Sequence, residues 1–369
     1  MLLFNPFADG FGLDIGDLSI KLVQLRPTGF FNSQAFKIKE LRATPLPPGL
    51  IVNGEIQKPE LVRKKLLHLL GKEGDSFKPI KSPWVAASLP EPKTFLKLID
   101  IDINYENLTP VDVAYQAKKH LLYELEDTYL DWQVINPLAS DKKTQILIAA
   151  TPKIVADSYT YLLESVGLNP IAFETEAAAI ARSMITSDKD YTGQARAILD
   201  LGATRSNLTI YDNHSIQFST TLNFSGEIVT SAIAQELKME HSQAESLKLK
   251  NGLSYDAKNP HYLTTVSGIT DKLIKELKAA LLFYKEHFDN INDVNRITLC
   301  GGMANLIHID EFISKELKIP TQAGHPWKNL GNKKLYDFEP KKSLSLASAI
   351  GLALRIMQNP LQNQRHENL

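Results

Sequence analysis

A single cysteine, Cys300, stands in 369 residues. An intrachain disulfide framework is therefore excluded, and a cysteine-built metal site has too few ligands. The lone thiol agrees with a reducing, cytoplasmic setting. Neither sign of charge dominates: 41 Lys and Arg face 42 Asp and Glu, a net charge of −1. That balance lacks the basic footprint of a nucleic-acid-binding surface. No apolar run reaches the roughly 18 residues of a membrane-spanning helix. The longest candidate, Leu344 to Met357, is broken by serines, Gly351 and Arg355 and reads as a buried helix. The segment Met1 to Gly10 has no basic n-region and does not read as a signal peptide. Gln358 to Leu369 is polar and lacks the amphipathic pattern of a bilayer-surface helix. Any encounter with a membrane is expected to go through a partner.

What is present is an ordinary globular composition, 43% hydrophobic and 22% charged, long enough for two or three cores. Gly12-Leu13-Asp14-Ile15-Gly16 and Ser19 to Leu25 alternate apolar residues and read as a hairpin turning at Asp17-Leu18. A strand over Ala35 to Ala43, a helix from Pro59 to Leu70 and a buried strand over Trp84 to Leu89 follow. Residues 90–167 then read β-α-β-β-α. Thr94 to Ile99 is the first strand, and Thr109-Pro110 caps a helix running to about Glu126. Strands at Leu130 to Ile135 and Thr144 to Ala150 turn at Ser140-Asp141-Lys142, and Thr151-Pro152 opens the second helix. This compact unit reads as an insertion.

After a strand at Ile171 to Phe173 and a helix at Glu176 to Met184, the opening pattern recurs. Ala197-Ile198-Leu199-Asp200-Leu201-Gly202 precedes Asn207 to Tyr211, as Gly12 to Gly16 precedes Ile20 to Val23. The repeat points to an internal duplication. A long amphipathic helix over Lys272 to Phe288 leads to the strand Arg296 to Cys300 and to Gly301-Gly302, with a helix expected from there through Leu317.

Glycine after a strand lets a backbone amide approach a ligand closely. Two facing Asp-x-Gly hairpins could hold a phosphate chain from both sides. Asp14 and Asp200 would repel bare phosphates, whereas Mg²⁺ between them, reached through water, makes the arrangement favourable. Lys21 adds direct charge, and the hydroxyls of Ser19, Thr204 and Ser206 add hydrogen bonds. Gly301-Gly302 offers a flat backbone surface for a nucleoside, with a helix N-terminus toward phosphate. The geometry thus predicts a nucleotide bound with Mg²⁺ rather than bare nucleotide.

The order hairpin, insert, hairpin, helices, Gly-Gly, terminal helix resembles the actin-like ATPase superfamily, whose fold is a duplicated ribonuclease H-like α/β core. Within it the chain resembles the PilM family of type IV pilus assembly proteins, itself similar to the division protein FtsA. The carrying segments are Leu13 to Leu25, Pro48 to Ile56, Glu176 to Arg182, Ala244 to Lys248 and Ala349 to Arg355. The insert stands where these two families carry their extra subdomain. By this resemblance Asp14, Gly16, Ser19 and Lys21 match the first phosphate motif, and Asp200, Gly202 and Thr204 the second. Gly301 and Gly302 match the adenosine motif. Glu245 and Lys248 match a helix flanking the nucleoside; an ordinary surface ion pair at i, i+3 is the other reading. Glu176 matches a position that orients water, so Glu176 and Asp200 are the catalytic candidates.

Two residues depart from the family pattern. Asp17 replaces a small residue, and a carboxylate there weakens nucleotide binding unless it points away or meets the metal. Met303 also replaces a small residue and narrows the base pocket; both enter the cofactor-binding set. The resemblance implies a cytoplasmic, ATP-binding scaffold with at most slow ATPase activity. It would hold the N-terminal tail of an inner-membrane PilN-type partner in a groove between the first subdomain and the insert. The expected boundaries are 1–89 with 168–215 and 335–358 for the first actin-like subdomain, 90–167 for the insert, 216–334 for the second and 359–369 for a polar tail. An FtsA-like division protein, a small-molecule kinase on the same core and the cytoplasmic part of a GspL-type secretion protein remain as alternatives.

Overall fold

The computed structural model describes residues 5–28, 35–74, 76–136, 143–187, 189–331 and 340–359. The turn expected at Ser140 to Lys142 and the tail beyond Asn359 lie outside them. Packing divides the chain into two compact units: Met1–Ser187 with Trp327–Leu335 and Ser348–Leu369, and Asp188–Pro326 with Tyr336–Ala347.

The first unit opens with β1 (Phe11–Ile15), β2 (Ser19–Pro27) and β3 (Phe36–Pro45), then a small hairpin of β4 (Ile51–Val52) and β5 (Glu55–Ile56). Helix α1 (Pro59–Leu69) starts on a proline whose missing N–H costs nothing there. It is followed by β6 (Trp84–Leu89). The inserted segment supplies β7 (Phe95–Ile101), α2 (Pro110–Lys118), β8 (Thr128–Asn136), β9 (Thr144–Pro152) and α3 (Lys153–Ser165), as β-α-β-β-α was expected. Then come β10 (Asn169–Thr175) and α4 (Glu176–Met184).

The main sheet of this unit has order β10-β6-β1-β2-β3. The first three strands are antiparallel neighbours, whereas β6 and β10 join parallel to β1. Leu13, Ile15, Ile20 and Leu22 pack with Leu66 of α1 and with Tyr159 and Leu162 of α3. Helix α3 therefore belongs to this core as much as to the insert. The insert keeps a small core of its own, in which Val113 and Ala117 of α2 meet Ile99, Ile101, Ile146 and Ile148.

Three local expectations change. Helix α2 stops at Lys118 rather than near Glu126, because the following N–H groups take i→i−3 bonds, Lys119 to Gln116 and His120 to Ala117. Thr109 caps α2 as expected, in a capping box with Asp112. Thr151-Pro152 ends β9 instead of opening α3, and the Thr151 hydroxyl donates to Lys93 O. The segment 188–215, grouped above with the first half, packs in the second unit because its strands are the middle of the second sheet.

The second unit contains β11 (Ala195–Leu201), β12 (Ser206–Asp212), β13 (Ser215–Leu222), α5 (Gly226–Leu237), α6 (His241–Asn251) and α7 (His261–His287). β14 (Val294–Cys300), α8 (Ile309–Leu317), β15 (Thr321–Ala323) and α9 (Pro340–Ser343) follow. Within this unit the order is β15-β14-β11-β12-β13, again three antiparallel neighbours and then two parallel strands. The same strand arrangement thus occurs twice, in the order third, second, first, fourth, fifth. The duplication extends to residue register. Asp14 pairs Lys21 and Ile15 pairs Ile20 in one hairpin; Asp200 pairs Asn207 and Leu201 pairs Ser206 in the other.

Helix α10 (Ala347–Met357) closes the first unit against β1 and α4. A Cβ at Gly12 would stand 2.4 Å from Ala349 O and Ala353 N, and one at Gly351 1.7 Å from Ala179 O. Arg182 spans the junction, forking onto the Glu174 carboxylate and donating to Gly351 O. Gly351→Ala would gain about 1 kcal/mol of helix propensity. Overpacking against backbone that cannot yield costs about 1–3 kcal/mol or more and wins. Denaturant unfolding is therefore expected to show a lower midpoint for Gly351→Ala, while Gly302→Ala, with nothing within 4 Å of the added Cβ, stays near the parent protein.

Candidate functional site

In each unit the candidate residues gather at the carboxyl ends of the parallel strands, the edge where open α/β sheets place ligands. In the first unit the Gly16 N–H donates to Ser19 O at 3.0 Å and closes the β1–β2 turn. Asp14, 6% exposed, accepts from Lys21 Nζ at 3.0 Å on one oxygen and from the Ser88 hydroxyl at 3.2 Å on the other. The partners follow from register: Lys21 is directly opposite on β2, and Ser88 lies one residue beyond the Leu13–Ala87 pair on parallel β6. Sequence reasoning missed Ser88; its signal was one hydroxyl in the otherwise apolar strand Trp84 to Leu89. Glu176 begins α4 at the end of β10, with Thr175 capping the helix through Ala178 N. The buried Glu91 carboxylate accepts from Ala177 N at 3.1 Å, placing a second missed glutamate beside Glu176.

Asp17 was placed with the cofactor-binding residues. Its side chain is 5% exposed, and the carboxylate accepts from Gly54 N at 3.0 Å.

In the second unit Gly202 N donates to Arg205 O at 2.9 Å, the same closure as in the first hairpin. No side chain fits at Gly202, since a Cβ would stand 2.4 Å from Arg205 O. Thr204 occupies the turn. Gly301 sits at φ 82°, and its Cβ would meet Leu201 O at 2.3 Å and Asp200 Oδ1 at 2.4 Å. The Gly-Gly motif thus packs directly on the second Asp-x-Gly. Cys300 Sγ lies 3.7 Å from Asp200 Oδ1. Full burial, with that carboxylate beside it, pushes the thiol well above its ordinary pKa.

A helix was expected straight from Gly302 through Leu317. Instead Gly302–Asn305 forms one 3₁₀ turn and α8 begins at Ile309, after His308 at φ 65° breaks the chain direction. The N-terminus of α8 is therefore not at the Gly-Gly junction. The first turn of α5 meets the β11–β12 hairpin: Gly226 N donates to Gly202 O and Glu227 N to Ala203 O, so hairpin carbonyls satisfy these helix-end amides.

Glu245 and Lys248 do form an ion pair at 2.6 Å, but not an ordinary surface one. Lys248 is 2% exposed and also donates to Gly226 O at 3.1 Å and Thr230 Oγ1 at 2.8 Å. The Thr230 hydroxyl lies within reach of the Glu245 carboxylate. A Cβ on Gly226 would stand 3.2 Å from Met303 and 3.3 Å from Lys248 Nζ, so these residues converge. Met303 is buried. Burial raises the Glu245 pKa, but hydrogen bonds from Lys248 and Thr230 outweigh it and hold the carboxyl below 4.5. Among the described residues no three His, Cys, Asp or Glu side chains gather as a metal cage, and no helix is long and apolar enough to cross a membrane.

Two units with one strand order, each carrying Asp-x-Gly at its carboxyl edge, define the duplicated α/β fold of the actin-like ATPases. The solved relatives agree. A PilM–PilN type IV pilus biogenesis complex matches with TM-score 0.79 at 21% identity, over 95% of this chain and 99% of that one. The ethanolamine utilization protein EutJ of Carboxydothermus hydrogenoformans matches with TM-score 0.53 at 13% identity, over 93% and 88%. MreB5 of Spiroplasma citri bound to AMPPNP matches with TM-score 0.52 at 12% identity, over 98% of both chains. The family model of the type IV pilus assembly protein PilM matches residues 12–357, and the chain belongs to that family.

Two outcomes follow. Cys300 in the native protein is expected to resist a thiol reagent at pH 8 and to react once unfolded, as a time-resolved thiol assay would show. Because the Glu245 pKa is lowered on folding, its stabilisation is present above pH 4.5 and is lost as pH falls below that value. Glu245→Gln should flatten this acid limb when denaturation midpoints are followed against pH.

Proposed function

We propose that the chain is an actin-like scaffold of type IV pilus assembly that binds Mg·ATP and holds the N-terminal tail of a PilN-type inner-membrane protein. The observation that carries the nucleotide reading is the repeated turn, with Asp, Gly and backbone in the same register at the carboxyl edge of each unit. Gly16 and Gly202 close their turns, leaving the turn backbone to meet phosphate. Lys21 offsets the charge of Asp14, and Ser19 and Thr204 supply hydroxyls. A divalent cation arriving with ATP would neutralise phosphate charge beside Asp14 and Asp200, keeping water and phosphate as ligands, as Mg²⁺ prefers. Gly301 and Gly302, with Met303, Glu245 and Lys248, would receive the nucleoside, the open face of Gly302 giving room for close approach. Glu176 stands where a carboxylate can orient water, which suits slow turnover.

The partner reading rests on a groove of about 190 Å³ between α1 and α3, walled by Ile56, Pro59 and Arg63 on one side and Tyr161 and Leu162 on the other. It lies between the main sheet's helix and the insert's helix. An extended tail can lie in such a groove with side chains in pockets. The matched relative solved as a PilM–PilN complex supports this choice of partner.

Calorimetric titration with Mg·ATP tests the site. Asp14→Ala and Asp200→Ala are each expected to weaken binding at least about tenfold, or 1.4 kcal/mol; unchanged affinity in both would sink the reading. For the groove, Tyr161→Glu alters a side chain 71% exposed and leaves the fold intact. It should abolish capture of a PilN-type N-terminal peptide in a pull-down.

A further inference from the structure

We propose that Asp17 and Tyr159 are positioning residues that couple the first hairpin to the α1–α3 groove through the backbone of the single residue Gly54. The proposal rests on the reading of that hairpin as a nucleotide site and of the groove as a partner site, and it assigns the link between them.

Gly54 lies in the β4–β5 turn at φ 78°, preceded by Asn53 at φ 49°. Its N–H donates to Asp17 Oδ1 at 3.0 Å, and its carbonyl accepts from Tyr159 Oη at 3.0 Å. The third side is blocked as well: a Cβ would stand 2.2 Å from Pro90, the residue between β6 and the insert. One residue thus touches the first hairpin, the start of the insert and α3. Asp17 follows Gly16 directly. Tyr159 follows the groove residue Ser158 and precedes Leu162 by less than a helical turn, and Ile56, two residues past Gly54, lines the opposite wall. The Lys93–Glu55 ion pair pins the same turn to the insert.

Why this transmits rather than merely fastens is a matter of burial. Asp17 is 5% exposed and Tyr159 0%. Out of water, a broken bond leaves its partner unsatisfied, so the hairpin turn, the Gly54 backbone and the Tyr159 ring are held to move together. Ser88 engages the hairpin from β6, whereas Asp17 links it through Gly54 to α3. A ligand that shifts the hairpin therefore has a direct mechanical route to the groove wall, and coupling between two sites is reciprocal.

The test is hydrogen–deuterium exchange on the full chain, with and without Mg·ATP, read at residues 14–19, 52–56 and 153–165. In the parent protein Mg·ATP should slow exchange in all three segments. Tyr159→Phe removes only the hydroxyl; it should keep the slowing at 14–19 and lose that at 153–165. Asp17→Ala should likewise uncouple 153–165, and Asp17→Asn, which retains the acceptor oxygen, should restore it. If the parent protein protects 14–19 but not 153–165, or if Tyr159→Phe protects 153–165 like the parent, the link is overturned and the nucleotide reading stands. If Mg·ATP changes nothing at 14–19 and calorimetry shows no binding, the nucleotide reading falls and this proposal falls with it.

Discussion

At Gly301, Gly351 and Gly12 the spaces a Cβ would need are already filled by carbonyl oxygens and amides of neighbouring segments. Backbone lies on backbone at all three places, and the rest of the architecture is arranged around that contact. In the second unit it brings the strand after α7 onto the β11–β12 hairpin. In the first it lets α10 lie on β1 and against α4, whose Ala179 completes the close approach. Side chains of normal size would push these elements apart, and within each unit the edge geometry around its Asp-x-Gly turn would be lost.

The two hairpins share backbone but differ in charge. Asp14 has a lysine directly opposite and a serine hydroxyl from β6. Asp200 has Asn207 opposite and a buried thiol beside it. Cross-strand register thus sets a lysine against the first carboxylate and an amide against the second, and the duplication yields two chemically unequal hairpins.

Much of this was legible in the residues. The alternation around Asp14 and Asp200 encodes antiparallel pairs, and the Asp-x-Gly spacing marks their turns. The β-α-β-β-α insert was readable because Thr109-Pro110 and the strand patterns are local signals. What stayed hidden depends on partners distant in sequence. Ser88 reaches Asp14, and Glu91 reaches α4, only through parallel strand pairing. The bond from Gly54 to Asp17 stayed hidden because Gly54 lies on a separate hairpin. The stop after Lys118 and the break at His308 are backbone choices among near-equal local alternatives, which apolar spacing does not decide. Lys248 reads as a surface lysine on any helical wheel, since α6 carries little amphipathic pattern; its burial comes from α5.

The position of α10 has a consequence for biosynthesis. Strand β1 rests on Ala349 and Ala353, contributed by the far end of the chain, whereas 188–326 supplies nearly all of the second unit in one continuous stretch. On the ribosome, most of the second unit can fold while β1 still lacks its covering helix. The unit whose strands are translated first is sealed only after the second has been made, and its apolar strand face waits until α10 follows.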